Sequence, residues 1–299
     1  MKRIYALLMS LVIITSLDLA AQTIPVNTRF GKVSKEEVEL MEYPADTSAS
    51  ALMLYEYTSV SIDFDASGGF KLITRKHQRI KVLNEEGLDW GDVEIIYYNS
   101  NTLRDNISGI DVSTYNLVNG KVVETRMPSK YVFREDFTEN YKKLSFSAQE
   151  VRVGSVIEIR YTVSSNIYWE IDDIFLQKDI PVNLSECVVR LPELFEFNKK
   201  QLGFNTVKYE YAAESGSLPL GGGSVYSYTV NVDKYSAADI PAFKEEPYLY
   251  NADQYYTALH YDIRSLTIPG SVYEDFSVNW GDVDDSYLDS DMMRRFRAQ

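Results

Sequence analysis

The sequence has one cysteine, Cys187, two histidines and nine prolines in 299 residues. A lone cysteine excludes an internal disulfide, and with only His77 and His260 beside it the chain is too poor in nitrogen and sulfur ligands for a zinc site, so no metal is expected. Positive charge is also scarce. Lys+Arg number 30 against 44 Asp+Glu, the formal net charge is −14, and the only basic run is the terminal "MRRFR". That balance excludes the electrostatic footprint of a nucleic-acid binder. Beyond the first residues there is no long apolar run, so no membrane span is expected in the mature protein. No cofactor is expected either. The triplet Gly221–Gly223 is followed by "SVYSYTVNV", a strand pattern, and a phosphate cradle needs a helix there.

The remaining composition, 45% hydrophobic and 13% aromatic, is enough for a sizeable core in one large domain or two ordinary ones. At the start, Lys2 and Arg3 precede an apolar run from Ile4 to Leu17, and the small residues of "LDLAAQ" follow. This is a secretory signal pattern, with cleavage expected after Ala21. No cysteine stands at that point to carry a lipid, so a periplasmic or secreted location is expected.

The mature chain divides into a leader over 22–50, a β domain over 51–270 and a closing segment over 271–299. In the leader, "SKEEVELMEYP" sets Ser34 three residues before Glu37, the spacing of a capping box, and predicts one short helix. From Ala51 short alternating apolar runs recur between turn residues, which is the all-β signature. In "SVIEIRYTV" the residues Ile157, Ile159, Tyr161 and Val163 share one face, and Val156, Glu158, Arg160 and Thr162 the other. Asn119-Gly120 suits a tight primed turn, and "DFDASGGFKL" a looser hairpin. The expected fold is an antiparallel β-sandwich. In "WGDVDDSYLDSDMMRRFRAQ" acids precede arginines, the charge order of a helix that the chain leaves unfinished.

Candidate chemistry is sparse. Cysteine catalysis needs a thiolate and a base in reach, yet "NLSECVVRLPE" supplies neither. Its alternation puts Ser185, Cys187, Val189 and Leu191 on one side, so Cys187 is expected to be buried and structural, and no catalytic residue is assigned. His77 and His260 read as neighbours of a sheet. The acids from Asp282 to Asp291 fail as a calcium loop, because the sixth and twelfth positions hold Tyr287 and Met293. Two acid pairs, Glu245 with Glu246 and Asp172 with Asp173, are conspicuous, but adjacent strand residues point to opposite faces. Of the 23 tyrosines, four cluster in "EEPYLYNADQYY". There Glu246, Tyr248 and Tyr250, with Tyr255 and Tyr256 beside them, are the candidate binding residues for a glycan or peptide.

Five stretches in order, "KHQRIKVLNEEG", "LVNGKVVET", "KLSFSAQEVRVGSVIEIRYTV", "DDIFLQKDIPVNLSECVVRLP" and "DIPAFKEEPYL", resemble an all-β family of exported bacterial proteins. It is known as domain of unknown function 3857 and stands before a transglutaminase-like core. The resemblance implies a β-sandwich module without catalytic residues of its own, whose chemistry belongs to the next domain in cis, with a papain-like cysteine, histidine and aspartate. The segment 271–299 resembles the beginning of that domain, and none of the triad positions is present. The expected function is a non-catalytic module that positions, regulates or supplies substrate contacts for such a core. The alternatives are a free-standing glycan- or peptide-binding module and, from the acid pairs, a carbohydrate-active enzyme.

Overall fold

The computed structural model describes residues 23–65, 69–219, 224–244, 251–268, 270 and 272–276. The capping box forms as the sequence predicts. The Glu37 amide donates to Ser34 Oγ at 3.2 Å and the Ser34 amide to Glu37 Oε2 at 2.5 Å, starting the one-turn helix α1, Lys35–Glu39. So short a helix has no stability in isolation. Val38 holds it by burial in a small apolar cluster with Leu52, Leu54 and Tyr115.

Fifteen strands follow among the described residues. In chain order they are β1 (Ala51–Asp65), β2 (Gly69–Val82), β3 (Asp92–Tyr98), β4 (Asp105–Val118), β5 (Lys121–Arg126), β6 (Phe133–Asp136), β7 (Tyr141–Ser147) and β8 (Val156–Ser165). Then come β9 (Ile174–Phe175), β10 (Val182–Pro192), β11 (Phe195–Leu202), β12 (Lys208–Pro219), β13 (Val225–Ile240), β14 (Ala258–Ile268) and β15 (Val272–Asp275). The β4–β5 turn is the one expected, with positive φ at both Asn119 (49°) and Gly120 (74°).

Eight strands form one large sheet in the order β12-β13-β10-β1-β2-β8-β4-β5. Every pairing in it is antiparallel except β1–β10, which run parallel from Met53 opposite Val182 to Ser61 opposite Arg190. A parallel pair needs a long crossover, and the chain from β2 to β9 supplies it. Strands β11, β14, β15 and β9 make a second sheet, and β3, β7 and β6 a third.

Both small sheets cover the same face of the large one. Phe195, Leu259 and Tyr261 of the second sheet pack with Met53, Ile80 and Val189, while Leu144 and Phe146 of the third pack with Val112, Ile157 and Ile159. Ile80 and Ile157 are register partners, so the two cores lie side by side on one surface. The all-β sandwich is thus observed, with one layer split in two.

The opposite, outer face of the large sheet is covered in part by the leader, which crosses it as a strap from Thr23 to Tyr43. Asn183, fully buried, accepts from the Ile24 amide at 2.6 Å and returns a bond to the Ile24 carbonyl at 3.0 Å. These bonds do for the strap what a neighbouring strand would do, because a buried extended segment must pair its backbone groups.

Candidate functional site

The outer face is organised as successive rows of side chains set by strand register across β1, β2, β8 and β4. The first row is Tyr55, Arg79, Glu158 and Ser113. It lies under the strap and is buried. Arg79 Nη2 donates to Glu158 Oε1 at 2.6 Å and Nη1 to Glu37 Oε1 at 2.8 Å. The same guanidinium donates to the carbonyls of Asn27 and Arg29 at 2.8 and 3.0 Å. Glu158 Oε2 accepts from the Gly31 amide at 2.8 Å and from the Tyr115 hydroxyl at 3.2 Å. Nearby, Lys81 Nζ donates to the carbonyls of Val38 and Gly154 at 2.7 and 2.5 Å.

These contacts set the protonation states. Burial opposes ionisation of Glu158, but hydrogen bonds from His77 and Arg79 and the Arg79 charge outweigh it and hold the carboxyl below its usual range. Burial likewise pulls Arg79 down, and Glu158 with Glu37 more than restore it. Lys81 has no carboxylate of its own, and burial lowers it to about 8.

The second row is Tyr57, His77, Arg160 and Asp111. It stands where the strap ends its cover. His77 Nε2 meets Glu158 Oε1 at 2.8 Å, and its ring lies between Phe30, at 5.5 Å, and Tyr55, at 5.4 Å between centroids. Arg160 donates to Asp111 through Nε at 2.7 Å and Nη2 at 2.6 Å, and its guanidinium lies 4.4 Å over the Phe30 ring.

The third row, Ser59, Arg75, Thr162 and Ser108, is open to solvent at Arg75. Beside Ser108 the β4 strand bulges, leaving Gly109 and Ile110 outside the β8 pairing, with φ of +62° at Gly109. Such bulges bend a strand and re-aim its neighbours.

Rows two and three enclose a hollow of about 440 Å³ whose walls include Phe30, Tyr57, Arg75, His77, Gly109 and Arg160. It offers guanidinium donors beside aromatic surface. The His77 Nε2 is engaged with a carboxylate, and no thiol faces the hollow.

Cys187 lies on the other face, with no exposed surface, in the core with Val189 and Leu191. Burial, then the charges of Glu56 and Asp233, push its thiol far above the ordinary value. The burial expected of Cys187 is observed.

Glu246, Tyr248 and Tyr250 lie outside the described residues, as do Glu245, Gly221–Gly223 and the acids from Asp282 to Asp291. Of the tyrosine-rich stretch, Tyr255 is exposed, whereas Tyr256 stacks on Phe243 at 4.0 Å, meets Phe175 edge-on and donates to Asp179. Asp172 is exposed, and Asp173 bonds His260 Nδ1 at 2.6 Å. Many other tyrosines serve packing. Tyr209 and Tyr261 donate to the buried Asp233 at 2.8 and 3.1 Å, Lys199 meets the same carboxylate at 2.5 Å, and Tyr235 bonds Tyr261 at 2.8 Å.

Sequence reasoning passed over the Arg79–Glu158 pair and the hollow above it. Alternation carried part of the signal: Arg75, His77, Arg79 and Lys81 share one face of β2, as Glu158 and Arg160 do of β8, but the pairing of the two strands was not in it.

Among the described residues no helix is long and apolar enough to cross a membrane, and no three His, Cys, Asp or Glu side chains gather as metal ligands. In comparison with known families, residues 71–243 match the one described as "Domain of Unknown Function with solved-structure structure (DUF3857)", and the chain belongs to that family. No curated protein matches the sequence. Among solved structures, the chain is similar to a "putative protease" from Parabacteroides distasonis, with 13% identity and a TM-score of 0.51 over 70% of this chain and 39% of that one. It thus spans well under half of that protein's length. An M1 zinc metallopeptidase from Deinococcus radiodurans matches at 9% identity and a TM-score of 0.24, over 67% of this chain and 45% of that one. At these identities the first likeness is one of fold, and the second supports no argument.

Proposed function

We propose that the chain is a non-catalytic, exported β-sandwich module that accompanies a transglutaminase-like cysteine hydrolase or acyltransferase core and positions it, regulates it or contributes substrate contacts. The observation that carries this reading is the burial of Cys187, which denies the only thiol of the chain the thiolate form that nucleophilic chemistry needs. Membership of the DUF3857 family and the partial overlap with a longer protease-like structure support it further. The signal pattern over residues 1–21 supports export to the periplasm or beyond.

The test has two arms. The coding DNA after the Gln299 codon is expected to continue into a domain with a cysteine, a histidine and an aspartate in papain-like arrangement. A stop codon there overturns the accessory role in cis. Purified chain is expected to show no amidase or transamidase activity on peptide and glutamine substrates, and turnover blocked by Cys187→Ala overturns the non-catalytic assignment.

A further inference from the structure

We propose that the hollow on the outer face of the large sheet is a binding site for a peptide carboxylate carried next to an apolar or aromatic side chain. The inference stands whether or not a transglutaminase-like core accompanies the chain.

In a chain with 44 acids, Arg75 is exposed and has no carboxylate partner among the described residues. Its neighbours do not cancel it. Arg160 is neutralised by Asp111, and further in the buried Arg79 pairs with Glu37 and Glu158, while Lys81 donates to the backbone carbonyls of Val38 and Gly154, away from the hollow. Lys76 also borders the hollow, but strand alternation turns its side chain to the other face of β2, where its charge acts on Cys187. The side chains facing the hollow therefore carry one uncompensated positive charge, which suits a monoanion such as a carboxylate and falls short of a phosphate dianion. A guanidinium is also the group whose planar fork matches a carboxylate with two parallel hydrogen bonds.

The walls beside Arg75 are the rings of Phe30, Tyr57 and His77, and the hollow, at about 440 Å³, falls in the range of small-ligand sites, ~300–1,000 Å³. An apolar side chain attached to the carboxylate has these rings to pack against. Phe30 is fixed there by the Arg160 guanidinium below it and by the strap, which Glu158 holds through the Gly31 amide. The walls are therefore set in place before any ligand arrives, which lowers the ordering cost of binding. Gly109 forms part of the rim, and its positive φ comes with the bulge that leaves this rim without a side chain.

The peptide carboxylate has two sources, a C-terminus and an acidic side chain. The experiment titrates the purified chain by calorimetry with three probes: acetyl-Gly-Phe as the free acid, the same dipeptide as its C-terminal amide, and acetyl-Asp-Phe amide. The free acid is expected to bind saturably below about 10 mM, and the plain amide not to bind. Binding of acetyl-Asp-Phe amide assigns the site to acidic side chains as well, and its failure to bind assigns the site to C-termini alone. Arg75→Gln is expected to weaken binding about tenfold, the loss of one charge-assisted pair, while Lys208→Gln on the distant β12 edge leaves it unchanged. Arg75 is exposed, so its replacement leaves the fold intact, checked by an unchanged melting temperature. Equal binding of free acid and plain amide, no saturation by either carboxylate probe, or full binding by Arg75→Gln overturns the proposal.

Discussion

Arg79 on β2 and Glu158 on β8 face each other across the pair and close a 2.6 Å ion pair with neither side chain reaching solvent. Two charges taken out of water are costly unless every donor and acceptor is used. Here they are used by the strap: the guanidinium also holds the Asn27 and Arg29 carbonyls, and the carboxylate holds the Gly31 amide. The pair is thus the joint between the leader and the sheet.

Replacing Arg79 by Met leaves Glu37 and Glu158 buried without their cation. A loss of about 3–5 kcal/mol is expected in urea unfolding. Hydrogen exchange is expected to show residues 24–31 losing protection ahead of the sheet. A loss under about 1 kcal/mol, or protection lost evenly, argues that the pair does not hold the strap.

Lys81 makes stability depend on pH in an unusual direction. Its ammonium, lowered by burial from 10.5 to about 8, releases its proton in the folded state before it does in the unfolded chain. Between those values the unfolded state binds more protons, so the contribution of this group to stability rises with pH, by about 1.4 kcal/mol per unit at most. Above pH 10 the buried tyrosines act the other way. Tyr55 and Tyr115 are raised by burial and then by neighbouring carboxylates, and the stability they contribute is lost as pH climbs past 10. Denaturant unfolding at pH 8, 9 and 10 is expected to give a steeper rise for the native chain than for Lys81→Met. Parallel profiles count against a neutral buried lysine.

The Cys187 thiol is expected to resist alkylation in the native protein and to react with one equivalent once guanidinium unfolds it, since both burial and the nearby Glu56 disfavour the thiolate. Cys187→Ser, which buries a hydroxyl in an apolar cluster, is expected to cost about 1–3 kcal/mol. Stoichiometric labelling of the folded chain within minutes would contradict the burial.

Local pattern carried much of this architecture. The division of β8 into an Ile157–Ile159 face and a Glu158–Arg160 face, the inward side chain of Cys187, the Ser34–Glu37 cap and the Asn119-Gly120 turn each depend on residues a few positions apart, and each appears where alternation or spacing put it. The candidate site was not legible in the same way. Alternation puts Arg75, His77 and Arg79 on one face of β2, yet it is silent on which strand lies beside them. Glu37 reaches Arg79 from 42 positions away and Glu158 from 79, and Phe30 comes to rest on Arg160 only because the strap is tied down elsewhere.

The sequence by itself determined the all-β class, the faces of individual strands and the burial of its one cysteine, because a two-residue period is readable without partners. The tertiary structure decided that β1 and β10 lie parallel, that two small sheets share one face, and that a buried salt network under the strap leaves Arg75 and its aromatic neighbours open beside it. The physical reason is that strand pairing is a long-range choice, set by how burial and hydrogen bonds are satisfied over the whole chain at once.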